Sequence, residues 1–288
     1  MSEAVSCPIC DRESGRPWGI EYKGHAIVKC AGCGLRYVSP RRTEAENLAV
    51  YDTPEYFAVN LRQQAELGQI EHHVRTQLKC CLRMLAHSTT AGPTLLDVGT
   101  GTGLLPKVAK VLGFRHVAAS DLTDANRATL AALNIPLLVG DVTALPPEQV
   151  LDALHAPEGF EVVSLSHVLE HVMDPGAFLH GLRRLLARDG LLYLLVPNEG
   201  SVPSRLKSTV SRLGLRRKAF KHLSPGHHLY FYTRSTLRLL LEKHGFAVLH
   251  VGTRAAEKPR GPLGRLATRL ADALGTGSWL EVVARATR

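Results

Sequence analysis

Thr94-Leu-Leu-Asp97-Val-Gly99-Thr-Gly101-Thr-Gly103 is the stretch on which the fold turns. Its first five residues read as a short apolar strand. The three glycines then let the backbone turn tightly and approach a ligand before the next helix begins. A dinucleotide fingerprint would need a further glycine at position 104, where this chain has Leu104. Asp97, at the strand end, disfavours a pyrophosphate and favours a cationic, phosphate-free ligand. Asp97, Gly99, Thr100, Gly101 and Gly103 are therefore the first candidate ligand contacts.

Working outward, short apolar runs at 94–98, 116–120, 136–139, 160–166 and 190–196 alternate with helical stretches, the pattern of a parallel α/β sheet. An irregular basic stretch, 199–225, follows, then a helix at 235–244 and closing strands at 246–251 and 279–286. Upstream, residues 60–86 carry apolar positions at helical spacing, preceded by Pro54 and the aromatics Tyr51, Tyr56 and Phe57. Residues 263–274 read as a docking helix. Three units result: 1–40, a helical extension over 41–90, and an α/β domain over 91–288 with 199–225 inserted as a mobile lid.

Further signals sit at successive strand ends. Asp121 and Leu122 follow the second strand about twenty residues after the glycine loop, where an acid usually meets ribose hydroxyls. Asp141 and Val142 follow the third, and Ser166-His167-Val-Leu-Glu-His171-Val-Met-Asp-Pro175 follows the fourth. In this order the chain resembles the class I methyltransferases that use S-adenosylmethionine (SAM), with their Leu-Glu-His-x-x-Asp-Pro signature. The resemblance covers about 95–246. It implies a Rossmann-like, mostly parallel sheet with an antiparallel last strand, a SAM site at Asp97 to Gly103, Asp121, Leu122, Asp141, Val142, Ser166 and His167, and methyl transfer to a small molecule, with O- or C-methylation favoured. The segment Ser224-Pro-Gly-His227-His228-Leu-Tyr230-Phe-Tyr232 resembles the active-site segment of zinc-containing sugar C-methyltransferases, although this chain has Gly226-His227 where they have a His-Glu pair. That resemblance makes His228 a candidate general base, with His227, Tyr230 and His171 as candidate assistants. A histidine pair more commonly just satisfies backbone groups, and His171 also reads as a loop-ordering residue.

Cys7-Pro-Ile-Cys10 and Cys30-Ala-Gly-Cys33 are two CxxC pairs nineteen residues apart, the spacing of a closed, structural four-thiolate Zn²⁺ site in a small zinc ribbon. Cys80 and Cys81 are adjacent on a helix and read as buried.

Hydrophobic residues make up 45% and charged residues 21%, so the chain has the composition of a folding globular protein. It shows no secretory signal and no apolar run long enough to span a bilayer, so a soluble cytoplasmic protein is expected. The net charge of +9 is concentrated late: residues 201–260 hold thirteen Lys or Arg against two acids. This favours an anionic acceptor, such as a nucleotide-linked or carrier-bound metabolite. RNA is the alternative partner, although the first forty residues, with five basic and four acidic side chains, make no obvious phosphate clamp. A non-catalytic zinc-ribbon binding module is the reading from another class, and a solvated basic loop is the plainer view of 199–225.

Overall fold

The computed structural model describes residues 4–13, 15–49, 67–85, 92–254, 270–272 and 274–287. Its centre is a seven-stranded sheet with helices packed on both faces. The strands are β4 (Thr94–Val98), β5 (His116–Asp121), β6 (Leu137–Val139), β7 (Phe160–Ser166), β8 (Leu186–Pro197), β10 (Phe246–Arg254) and β11 (Trp279–Ala286), in the spatial order β10-β11-β8-β7-β4-β5-β6. The pairs among β4 to β8 are parallel, and β11 runs antiparallel to both β8 and β10. The Rossmann-like sheet expected from the sequence is therefore present, with the reversed strand last.

Strand alternation builds two cores. Leu191, Tyr193 and Leu195 of β8 face one side with Leu95, Val117 and Val162; Leu192, Leu194 and Val196 face the other with Leu96, Ala118 and Val163. A period of two sends successive side chains to opposite faces, and a sheet covered on both sides needs apolar residues on both. The first face is covered by α2 (Leu67–Met84), through Val74, Leu78 and Cys81, and by α3 (Leu104–Val111). The second is covered by α5 (Pro147–Ala153), α6 (Pro175–Leu185) and α8 (Arg234–Lys243). Short α1 (Glu44–Leu48) and α4 (Arg127–Ala132) complete the described helices before α5.

The first forty residues do not stand apart. Their strands β1 (Arg16–Ile20), β2 (Ala26–Lys29) and β3 (Arg36–Val38) are completed by β9 (Tyr230–Phe231), giving the order β1-β2-β3-β9. Leu35, Tyr37, Cys7 and Cys30 share a core with the second sheet face.

One reading is corrected. Residues 199–225 are not irregular: they hold α7 (Val202–Arg212) and a 3₁₀ turn at Lys221–Leu223. Ser201 caps α7 by accepting from the Ser204 N–H, and Pro203 lies in its first turn, where a missing N–H costs nothing. No apolar stripe announced this helix, because the side chains it buries are Ser204, Ser208 and Ser211. Strands β8 and β10 also run several residues beyond the stretches expected. Of the helix expected at 60–86, residues 67–84 are helical; its beginning, the 51–57 aromatic cluster and 263–269 lie outside the described residues. Cys81 is buried as expected, and Cys80 partly so. Among the described residues no helix is long and apolar enough to cross a membrane.

Candidate active site

The glycine loop joins β4 to α3 at the carboxyl end of the sheet. Gly99, Gly101 and Gly103 have φ values of 70°, 50° and 71°, a region closed to most side chains. The loop is tied to the neighbouring strand end: the Gly99 and Thr100 amides donate to the Ser120 carbonyl at 2.8 and 3.0 Å, and the Gly101 amide donates to Asp121 Oδ2 at 2.9 Å. Asp121 Oδ1 accepts from the Thr123 amide and hydroxyl, which fixes the carboxylate at the loop's edge. A Cβ at Gly101 would meet nothing within 4 Å, so the loop opens onto free space there; one at Gly99 would collide with Val168, which brings the segment after β7 against the loop.

Asp97 lies beneath this loop, 3% exposed, and Ser164 of β7, its register partner, donates to Oδ1 at 2.6 Å. Burial raises its carboxyl to about 7, with the Ser164 bond opposing and the Asp121 charge adding. A buried carboxyl of this kind becomes favourable as an anion when a cation arrives. Gly140, at φ 117°, donates to the Asp121 carbonyl, and Asp141 Oδ1 accepts from the Thr143 amide and hydroxyl, both at 2.7 Å. Val142 is in the core, so what it offers a ligand is its backbone, whereas Leu122 is 40% exposed.

After Ser166 the chain turns through His167 at φ 57°, and Glu170 drops into the interior with no exposed surface. Its Oε1 lies 3.2 Å from His167 Nδ1, and its Oε2 is buried without a hydrogen bond. One ligand-capable atom each from Glu170, His171 and His228 lies within 4.8 Å of the others, with the His171 and His228 rings edge to face. Burial pushes the Glu170 carboxyl up, but the His167 hydrogen bond and the neighbouring histidines outweigh it and hold the group at about 2. Burial lowers His228 to about 4, against the pull of Glu170. His228 is thus a neutral imidazole at neutral pH beside a fixed carboxylate. His171 Nδ1 sits 3.0 Å from the His227 carbonyl, and the Leu229 amide donates to the Glu170 carbonyl at 2.7 Å, so the two segments are laced together.

Tyr230 is placed differently from these histidines. Its hydroxyl donates to the Met173 carbonyl at 3.0 Å and accepts from Arg41 at 2.8 Å, which clips the N-terminal arm to the turn before α6. His227 is exposed. A cleft lined by His25, Arg41, Arg42, Pro225 and Leu229 adjoins this histidine segment. Sequence reasoning passed over Glu170, although it sits inside the quoted Leu-Glu-His stretch, and Ser164, whose only signal was its alternation with buried residues.

In the arm, Cys7, Cys10, Cys30 and Cys33 bring their sulfurs within 4.8 Å of one another. The two pairs are built alike. The Cys7 carbonyl accepts from Asp11 and the Cys30 carbonyl from Gly34; the Cys7 amide donates to Arg12 and the Cys30 amide to Leu35. Asp11 and Gly34 both take positive φ, 56° and 80°, which returns the chain after each pair. Four converging soft donors match the coordination preferences of Zn²⁺ and would fill its tetrahedral shell.

Comparison with known proteins bears on the family and the fold. A stretch of 115 residues is 38% identical to the ubiquinone biosynthesis O-methyltransferase of Caulobacter vibrioides, covering 39% of this chain and 44% of that protein. The corresponding protein of Azotobacter vinelandii is 32% identical over 114 residues, 39% of this chain and 47% of its own length. The chain therefore aligns with less than half the length of these relatives. Among solved structures, the 1,6-didemethyltoxoflavin-N1-methyltransferase of Burkholderia thailandensis, with bound 1,6-didemethyltoxoflavin and S-adenosylhomocysteine, superposes with a TM-score of 0.56 at 17% identity over 92% of this chain and 96% of that one, a likeness of fold. The sequence model of the family described as a methyltransferase domain matches residues 70–251, from within α2 to within β10 and more than half of the chain. The chain belongs to the methyltransferase domain family.

Proposed function

We propose that the protein transfers a methyl group from SAM to an oxygen or carbon of a small, anionic acceptor, and that Zn²⁺ on Cys7, Cys10, Cys30 and Cys33 holds its N-terminal arm together. The observation that carries this reading is the convergence, at one end of the sheet, of an open glycine loop, the buried Asp97 and the edge carboxylate of Asp121. Asp97 would hold the ammonium of the amino-acid portion, Asp121 the ribose hydroxyls, and Leu122, Asp141 and the Val142 backbone the adenine. Ser166 and His167 would close the cofactor's other side. SAM supplies an electrophilic methyl on a sulfonium.

The protein's own work is to align the acceptor, exclude water and remove a proton. Neutral His228 takes the acceptor's proton, and the buried Glu170 carboxylate steadies the resulting imidazolium. His171 orders this pair through its bond to His227. The cations beside the cleft, Arg41 and Arg42, favour an acceptor carrying negative charge.

Calorimetry with SAM, S-adenosylhomocysteine and NAD tests the cofactor assignment: the first two bind and NAD does not. Binding of NAD in preference to SAM would overturn it. Metabolite profiling of a deletion strain fed labelled methionine then identifies the acceptor.

A further inference from the structure

Helix α7 is packed inside out. Its buried positions, spaced four and three apart, are Ser204, Ser208 and Ser211, while Leu206 is 64% exposed and, just past its end, Leu213 and Leu215 are 66% and 73% exposed. The inner face is fixed by polar bonds: Ser204 Oγ donates to Glu199, Ser208 Oγ pairs with His222 Nε2 at 3.1 Å, and Ser211 Oγ accepts from the Phe220 amide at 3.1 Å. The helix is therefore held with Leu206 outward. A single exposed leucine is ordinary, but a helix and turn that bury hydroxyls while Leu206, Leu213 and Leu215 stand exposed leave unused the burial that normally drives helix packing.

Cations are interleaved with these leucines. Arg205 and Lys207 flank Leu206, Arg212 precedes Leu213, and Arg217 and Lys218 follow Leu215; all five are exposed. No Asp or Glu occurs from Gly200 to Leu241. A second copy of this face would meet it with like charge. RNA would satisfy the cations and leave the leucines in water. An anionic bilayer satisfies both at once, taking the leucines into the acyl boundary and the cations among the headgroups.

We propose that α7 and the turn 213–218 form a docking surface for an anionic lipid bilayer. The protein lies on the membrane through this helix without crossing it. Leu206, Leu213 and Leu215 supply the inserted area, and the flanking Arg and Lys stems snorkel toward the phosphates.

The test is co-sedimentation of the purified protein with vesicles of equal phosphatidylcholine and phosphatidylglycerol, against vesicles of phosphatidylcholine alone. Partitioning at least tenfold stronger to the anionic vesicles is expected, weakening as salt rises. Leu206→Ser, Leu213→Ser and Leu215→Ser combined should lower it by tenfold or more at an unchanged Tm, since all three side chains are exposed. Leu215→Ser alone, expected to give a smaller loss in the same direction, serves if the triple variant's Tm falls. Equal partitioning to both vesicles would overturn the proposal. So would leucine variants that bind anionic vesicles as wild type does, or a protein that leaves vesicles in solution yet binds an acidic carrier protein or RNA.

Discussion

At the ends of β4, β5 and β7 the chain places Asp97, Asp121 and Glu170, each engaged by a specific donor, whereas from Gly200 to Leu241 it places no acid at all. The first region is preorganised: Asp97 and Asp121 are held by strands of the central sheet, Glu170 by the turn after β7, and the glycine loop by positive φ. The second region is carried by the arm. It reaches β3 through β9, packs Phe220 against Trp18 with the rings tilted and their centroids 5.0 Å apart, and receives Arg36 on the Glu199 carbonyl at 2.9 Å. Under the proposed function this difference is a division of labour, in which strand ends bind the cofactor and the arm-supported segment 200–241 brings the base His228 and the acceptor.

The largest effect should come from breaking the arm. The protein is expected to hold about one zinc per chain, and Cys30→Ala should lose it, because a structural zinc site contributes folding free energy outright. Turnover should then vanish while SAM affinity stays within about threefold, since Asp97 and Asp121 stand on strands rather than on the arm. Metal analysis with calorimetry on the same sample checks this. Loss of SAM binding together with zinc would show the two regions to be one unit, and zinc retained in the variant would remove these cysteines as ligands.

His228→Gln sharpens the division from the other side. Removing a general base should lower turnover by about 10² to 10⁴ with SAM affinity unchanged. Near-normal turnover would leave an acceptor that needs no base, and weakened SAM binding would place His228 among the cofactor contacts.

Asp97→Asn should do the reverse. Losing a charged hydrogen bond costs about 1–3 kcal/mol of SAM affinity, roughly 5- to 150-fold. Saturating SAM should restore most of the turnover. Unchanged affinity would break the assignment of Asp97 to the ammonium.

The sequence told most where residue pattern and burial agree. Thr94 to Val98 is a buried strand because its neighbours cover both faces, and a run of apolar residues then carries the information. Gly99, Gly101 and Gly103 were readable because few other residues tolerate their backbone. α7 was not, because its buried face is serine and periodicity methods look for apolar stripes. β9 was not, because a two-residue strand has no period; only β3, nearly two hundred residues earlier, defines it. Tyr230 looked chemical in a histidine-rich segment, yet its bonds to Arg41 and Met173 can be seen only once the arm is folded back.

The smallest effect is a cancellation between the two regions. Asp97 is raised in the fold to about 7 from an ordinary value near 3.8, so the folded protein holds a proton that the unfolded chain has released, and stability falls as pH rises from about 4 to 7. His228 is lowered to about 4 from 6.5, so the unfolded chain holds a proton that the fold refuses, and stability rises with pH across nearly the same window. Each slope is about 1.4 kcal/mol per pH unit at its steepest, and the signs oppose. Glu170, held at about 2, is ionised throughout and loses its contribution only below its unfolded value near 4.5. Wild-type stability measured in urea should therefore change little between pH 5 and 6. His228→Gln should grow more stable on acidification through that interval, and Asp97→Asn less stable. Parallel pH profiles for the two variants would show that Asp97 at the strand end and His228 do not hold the opposed pKa shifts assigned to them.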